Sequence, residues 1–74
     1  GRGLATEASR ACLRYGFDTI GLERIIGLVM PGNAASIRVL VKVGMVREEP
    51  ISYDGQPTER YAISRAQFRA LVHP

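Results

Sequence analysis

The 74-residue sequence has few of the side chains that cross-link a chain or hold a metal. Cys12 is the only cysteine, so no internal disulfide framework can form. His73 is the only histidine and sits beside the terminal Pro74, which all but excludes a metal site or histidine-based catalysis. No segment approaches the ~20 consecutive apolar residues needed to span a bilayer. The first residues also lack the charged, long-apolar, small-residue order of a secretory signal, so a cytoplasmic location is the default expectation. Length sets a further bound: a chain of this size hides only roughly 60% of its unfolded surface, enough for one domain or less. The sequence opens at Gly1 without an initiator Met and helix-like patterning begins at once, so part of a larger domain is expected.

The composition that remains is that of an ordinary globular protein, with 46% hydrophobic and 23% charged residues. Ten Lys and Arg against seven Asp and Glu give a formal charge of +3, a balance that favours anionic partners such as a phosphorylated cofactor or nucleic acid. The arginines are scattered over several elements and do not cluster with aromatic stacking residues, which argues against nucleic acid. With no histidine or second cysteine to activate it, Cys12 reads as a small core residue.

Periodicity supplies the element order. Leu4, Ala8, Ala11, Cys12 and Tyr15 recur at helical spacing up to about Phe17, with Gly16 placed to end the helix in a left-handed turn. The branched, mostly apolar stretch from Glu23 to Met30 predicts a strand buried on both faces, stopped by Pro31-Gly32. Asn33 is placed to cap a second helix, on which Ile37, Leu40 and Val41 share a face while Arg38 and Lys42 point elsewhere; Gly44 ends it, with Met45 as the hydrophobic residue beyond. Strands over residues 46–53 and 58–64 flank Asp54-Gly55-Gln56-Pro57, a hairpin with a loop of about four residues. Ser64 to Gln67 has capping-box spacing ahead of Phe68, Leu71 and Val72, which predicts a short terminal helix. The order helix, strand, helix, strand, strand, short helix indicates an α/β (α+β) fold with a mixed sheet. Its first strand would leave an apolar edge open to self-association.

Two segments carry candidate chemistry. Gly1-Arg2-Gly3-Leu4-Ala5-Thr6 leads directly into a helix, where unpaired N–H groups and the positive end of the dipole attract anions and glycines let a phosphate approach the backbone. A dinucleotide fingerprint would want a glycine where Thr6 stands. About thirty residues on, Pro31-Gly32-Asn33-Ala34-Ala35-Ser36 opens the second helix and Leu40-Val41-Lys42-Val43-Gly44-Met45 closes it. Both motifs, in this order around one strand, resemble the GNAT acetyltransferase superfamily, and within it the branch that acetylates ribosomal-protein N-termini. The resemblance runs from Gly1 to about Ser64 and covers the C-terminal half of such a domain.

That resemblance implies an acetyl-CoA-dependent N-acetyltransferase. The pyrophosphate would rest on the backbone of Arg2, Gly3, Leu4, Ala5 and Thr6, and Asn33 would touch the pantetheine side of the cofactor. Many members place a tyrosine acid where this chain has Leu40, so that role does not carry over. Ser36, one turn earlier, is the candidate acid, beside the plainer reading of a local hydrogen-bonder. The family's base and acceptor-binding groups come largely from strands ahead of the first motif, and none of Glu48, Glu49, Asp54 or Glu59 is assigned that role. Tyr53 and Tyr61 are candidates for an acceptor pocket or for aromatic packing. The competing reading is a non-catalytic CoA-binding or interaction module that self-associates through its open sheet edge.

Overall fold

The computed structural model describes residues 2–73. Helix α1 spans Arg2–Arg14 and runs on into a π-helical turn, Tyr15–Ile20. Strand β1 (Arg24–Val29), helix α2 (Ala34–Lys42), strands β2 (Val46–Tyr53) and β3 (Gln56–Ser64) and helix α3 (Arg65–Val72) follow, in the element order expected from the sequence.

The sheet order is β1-β3-β2, with β3 antiparallel to both neighbours. Strands β1 and β2 therefore run in the same direction, as expected for two strands joined through a helix. Because β3 lies between them, no parallel pair forms among the described residues, and the expected mixed sheet is instead antiparallel. Side chains alternate along β1: Ile25, Gly27 and Val29 face inward while Arg24, Ile26 and Leu28 are exposed. The expectation of a strand buried on both faces is corrected accordingly; all described helices pack on one face, and Ile26 and Leu28 look out from the other.

The core lies between the inner sheet face and the helices. Leu13 and Phe17 meet Val29, Val43, Met45, Tyr61, Ile63 and Phe68, with Ile25, Ile37 and Leu40 packed against them. Phe17 and Phe68 rings lie 5.2 Å apart, tilted by 32°, a geometry in the favourable range for aromatic pairs. The π-helical turn makes this contact by burying Gly16 and Phe17. A Cβ on Gly16 would come within 2.7 Å of Ile25 Cδ1, so this glycine serves close packing. The left-handed cap expected at Gly16 falls at Gly21, whose N–H donates to the Gly16 carbonyl. Cys12, expected in the core, is exposed, and Val41, expected to share a face with Ile37 and Leu40, is exposed while those two pack against the core. Tyr61 is buried in the core, and Tyr53 is exposed at the hairpin.

Helix α2 ends as anticipated. Gly44 is left-handed at φ 98°, its N–H donates to Val41, and that of Met45 donates to Leu40, which together make a Schellman motif. The hairpin is tighter than a four-residue loop. Asp54 (φ 53°) and Gly55 (φ 75°) both take positive φ, as a two-residue type I′ turn requires, and Tyr53 pairs directly with Gln56. Pro57 thus falls inside β3 opposite Ser52, beyond the last β1 pairing at Glu59, where a strand tolerates a missing N–H. Pro50 sits within a register shift between Glu48 and Ile51 on edge strand β2, again a position suited to proline.

Candidate functional site

The two motifs converge because α1 and α2 pack side by side over the C-terminal end of β1. Gly27 sets the approach: a Cβ there would stand 3.3 Å from Leu40 and 3.4 Å from Met45, so the absence of a side chain lets α2 sit close to the strand. Leu40, where many family members carry a tyrosine, instead packs against the core.

A cleft of about 530 Å³ opens between these elements, walled by Ala5 and Ser9 from α1, the Leu28 to Met30 strand end, and Asn33, Ser36 and Leu40. Ala5, Asn33 and Ser36 are thereby brought together although roughly thirty residues separate the first from the others. Among the described residues, no carboxylate or histidine lines the cleft.

At the α1 end, Gly3, Leu4 and Ala5 are exposed while Thr6 is buried. The helix is already wound at Arg2, so the backbone N–H groups of Arg2, Gly3 and Leu4 precede its first i→i−4 hydrogen bonds. Ala5 and Thr6 stand further along the ladder, where Ala5 contributes its side chain to the cleft wall. Gly1 and the side chain of Arg2 lie outside the described residues. The first turn carries no acidic residue that would oppose an anion. Gly3 has no protein atom within 4 Å of the position a Cβ would occupy. Neither packing nor a positive φ calls for glycine there, whereas close approach of a ligand to the backbone does. The chain's own geometry therefore fits a phosphate at this turn.

At the α2 end, Asn33 caps the helix: its Oδ1 accepts the Ser36 N–H at 3.3 Å. The cap uses the amide oxygen and leaves the two amide hydrogens as donors. Ser36 is half-buried on the cleft wall. Two residues that periodicity merely turned away from the core also reach the site. Arg38 and Lys42 line a groove of about 150 Å³ with Ala5 and Thr6, contiguous with the main cleft through Ala5 and Val39. Ser9 was likewise not singled out by the sequence. For all three the only available signal was their i, i+3 or i, i+4 spacing from Ala35, Arg38 or Thr6, which shows a shared helix face and not what that face meets.

Three carboxylates near the strands are engaged in ion pairs away from the cleft. Glu48 pairs with Arg24 and with Arg60, Glu59 with Arg47 at 2.9 Å, and Glu23 with Arg65. Among the described residues, no group of three or more His, Cys, Asp or Glu side chains could hold a metal.

Comparison with known proteins agrees with this geometry. The model of the acetyltransferase (GNAT) domain matches residues 1–46, spanning both motifs. The chain belongs to the GNAT acetyltransferase family. It is 44% identical over 61 residues to the uncharacterized protein YkkB of Bacillus subtilis (strain 168), covering 82% of this chain and 36% of YkkB. It is 33% identical to the FsC-acetyl coenzyme A-N(2)-transacetylase of Aspergillus fumigatus, over the whole of this chain and 35% of that protein. The crystal structure of aminoglycoside acetyltransferase AAC(6')-Ib in complex with coenzyme A superposes with a TM-score of 0.87 at 26% identity, covering 95% of this chain and 40% of that one. The chain thus spans little more than a third of the relatives it matches, and its fold is a GNAT fold.

Proposed function

We propose that this chain forms the acetyl-CoA-binding part of an N-acetyltransferase that moves an acetyl group from the CoA thioester to an amine. The observation that carries the reading is the convergence of an unencumbered helix start at Gly3 with Asn33 and Ser36 around one cleft. The backbone of Arg2, Gly3 and Leu4 receives the pyrophosphate, with Ala5 and Thr6 shaping the wall behind it. Arg38 and Lys42 flank the phosphorylated end with positive charge. The Asn33 amide hydrogens donate to the pantetheine arm. When bound, acetyl-CoA supplies the activated acyl group.

In the transfer, the amine nitrogen, having lost a proton to solvent, forms a bond to the thioester carbonyl carbon as the carbon–sulfur bond breaks. The Ser36 hydroxyl gives its proton to the departing sulfur, and the second proton shed by the nitrogen returns to Ser36, so that one proton in all is released from the ammonium. Leu40 excludes water from one side of this point. The acceptor is an amine, and the resemblance of the sequence motifs to the branch that acetylates ribosomal-protein N-termini supports a protein N-terminus as the first candidate.

Calorimetric titration of acetyl-CoA into the chain and into Gly3→Glu tests the cofactor site. A Cβ here has no protein atom within 4 Å, so the fold should persist while the pyrophosphate is repelled. Loss of one charge-assisted hydrogen bond, about 1.5–3 kcal/mol, corresponds to roughly 10–100-fold weaker binding. Equal affinity of the two proteins would sink the proposal.

A second reading has one observation in its favour. Strand β1 hydrogen-bonds to β3 alone among the described strands, and an apolar groove of about 270 Å³ runs beside Ile25, Ile26 and Gly27. Pairing of this edge between copies would make the chain self-associate. Sedimentation velocity decides it: a monomer at all concentrations removes this reading.

A further inference from the structure

Helices α1, α2 and α3 meet around a groove of about 210 Å³. Val43 and Phe68 form its buried floor, and Leu71 and Val72, 57% and 43% exposed, form an apolar wall. Helix α3 is held there because Leu71 lies over Gly44, where a Cβ would collide with the leucine Cδ1. Arg10 and Arg14 from α1 and Lys42 from α2 complete the lining, and all three are exposed. Lys42 also lines the groove beside the cofactor cleft. Arg10 and Arg14 lie further down α1 from Gly3, roughly 10–16 Å along the axis from the turn proposed to receive the pyrophosphate.

The charge here differs in kind from that of the sheet. Arg24, Arg47, Arg60 and Arg65 are each tied to a glutamate of a neighbouring segment, whereas the cations of the groove surround an apolar surface. Arg14 and Lys42 fall in the last turns of their helices, where a positive charge complements the dipole. Arg10 stands one turn earlier and has no such use. Its i, i+4 spacing from Arg14 puts both on one side of α1, ~6 Å apart along the axis, with Lys42 on the neighbouring helix. A row of this length is more than one carboxylate spans, and the wall beside it suits hydrocarbon. An extended chain with carboxylates on either side of a large apolar side chain meets both demands. The apolar side chain leaves water against Phe68, Leu71 and Val72, and the carboxylates accept charge-assisted hydrogen bonds from Arg10, Arg14 and Lys42. A groove bounded by three helices admits a protruding side chain more readily than a flat bilayer.

We propose that this groove docks an acidic peptide segment of a partner protein, anchored by a leucine or phenylalanine between Asp or Glu residues, at a place separate from the acetyl-CoA cleft.

Fluorescence anisotropy of a labelled peptide, Glu-Asp-Leu-Phe-Asp-Glu with blocked ends, titrated with the chain tests the proposal. The expected result is saturable binding that weakens about tenfold in the double variant Arg10→Glu/Arg14→Glu. Replacing the peptide's Leu and Phe by Ser should weaken it by at least about tenfold with the charge unchanged. Both arginines are exposed, and an unaltered far-ultraviolet circular dichroism spectrum certifies that the variant is folded. Saturating CoA should leave the peptide bound, and the variant should bind CoA as the parent does. The inference is overturned if the peptide does not bind, if the Ser peptide binds equally well, if the double variant binds as tightly as the parent, or if CoA displaces the peptide. It is overturned in favour of a membrane surface if vesicles of phosphatidylserine and phosphatidylcholine take up the chain and the peptide does not compete. If the peptide binds as expected and CoA does not bind at all, the cofactor reading falls alone and this inference stands.

Discussion

The N-termini of α1 and α3 face the same problem, backbone N–H groups without intrahelical acceptors, and meet it in opposite ways. At α3 the protein finishes its own end. Ser64 Oγ accepts from the Gln67 N–H at 3.0 Å while Gln67 Oε1 accepts from the Ser64 N–H at 2.8 Å, a complete capping box. At α1 the first turn carries no acidic residue, and a Cβ on Gly3 would have no protein atom within 4 Å, so no side chain of this turn fills the space beside it. Helix α2 stands between the two, since Asn33 caps with its oxygen and keeps its amide hydrogens. The difference separates helix ends that serve stability from the one proposed to receive an anion.

Four changes sharpen or break that contrast. The largest effect is expected for Gly3→Glu, roughly 10–100-fold in acetyl-CoA affinity, with an unaltered far-ultraviolet circular dichroism spectrum. Next comes Ser64→Ala, which removes the α3 cap and should cost about 1 kcal/mol. In a domain of this size that lowers Tm by about 4–8 °C, with no change in CoA binding; a thermal melt and a titration check the two halves. Gly3→Ala should move stability the other way. Its new methyl meets open space and a helical alanine is favoured over glycine, so a gain of about 0.5–1 kcal/mol in urea unfolding should accompany weaker CoA binding. A variant that loses stability, or binds CoA unchanged, would erase the distinction between the two helix ends. The smallest effect belongs to Glu23→Gln, which breaks the pair with Arg65 near the start of α3. Glu23 is 79% exposed, so denaturant unfolding should shift by less than about 1 kcal/mol.

How much of this could be read from the sequence varied with the range of the interaction. The Asn33 cap, the Gly44 terminus and the Ser64 box were legible because each is a contact within a few residues, made by side chains with one obvious local use. The α1 terminus was harder. Periodicity placed a left-handed glycine at Gly16, but that residue is needed for its contact with Ile25, and the helix continues as a π turn to Gly21. The hairpin loop came out two residues shorter than expected because Asp54 as well as Gly55 takes positive φ. Cys12 was placed inside as a small apolar residue and Val41 on one face with Ile37 and Leu40, and both are exposed.

The site divides along the same line. By itself the sequence determined where α2 begins and that Asn33 caps it, and it marked the Gly1 to Thr6 segment as leading into a helix, because these properties follow from local backbone geometry and side-chain chemistry. Only the tertiary structure decided that Ala5, Asn33 and Ser36 face one cleft and that Arg38 and Lys42 line the groove beside it. Those meetings depend on β3 inserting between β1 and β2 and on α2 settling over Gly27. Both are set by packing between segments distant in the chain, which no local pattern records.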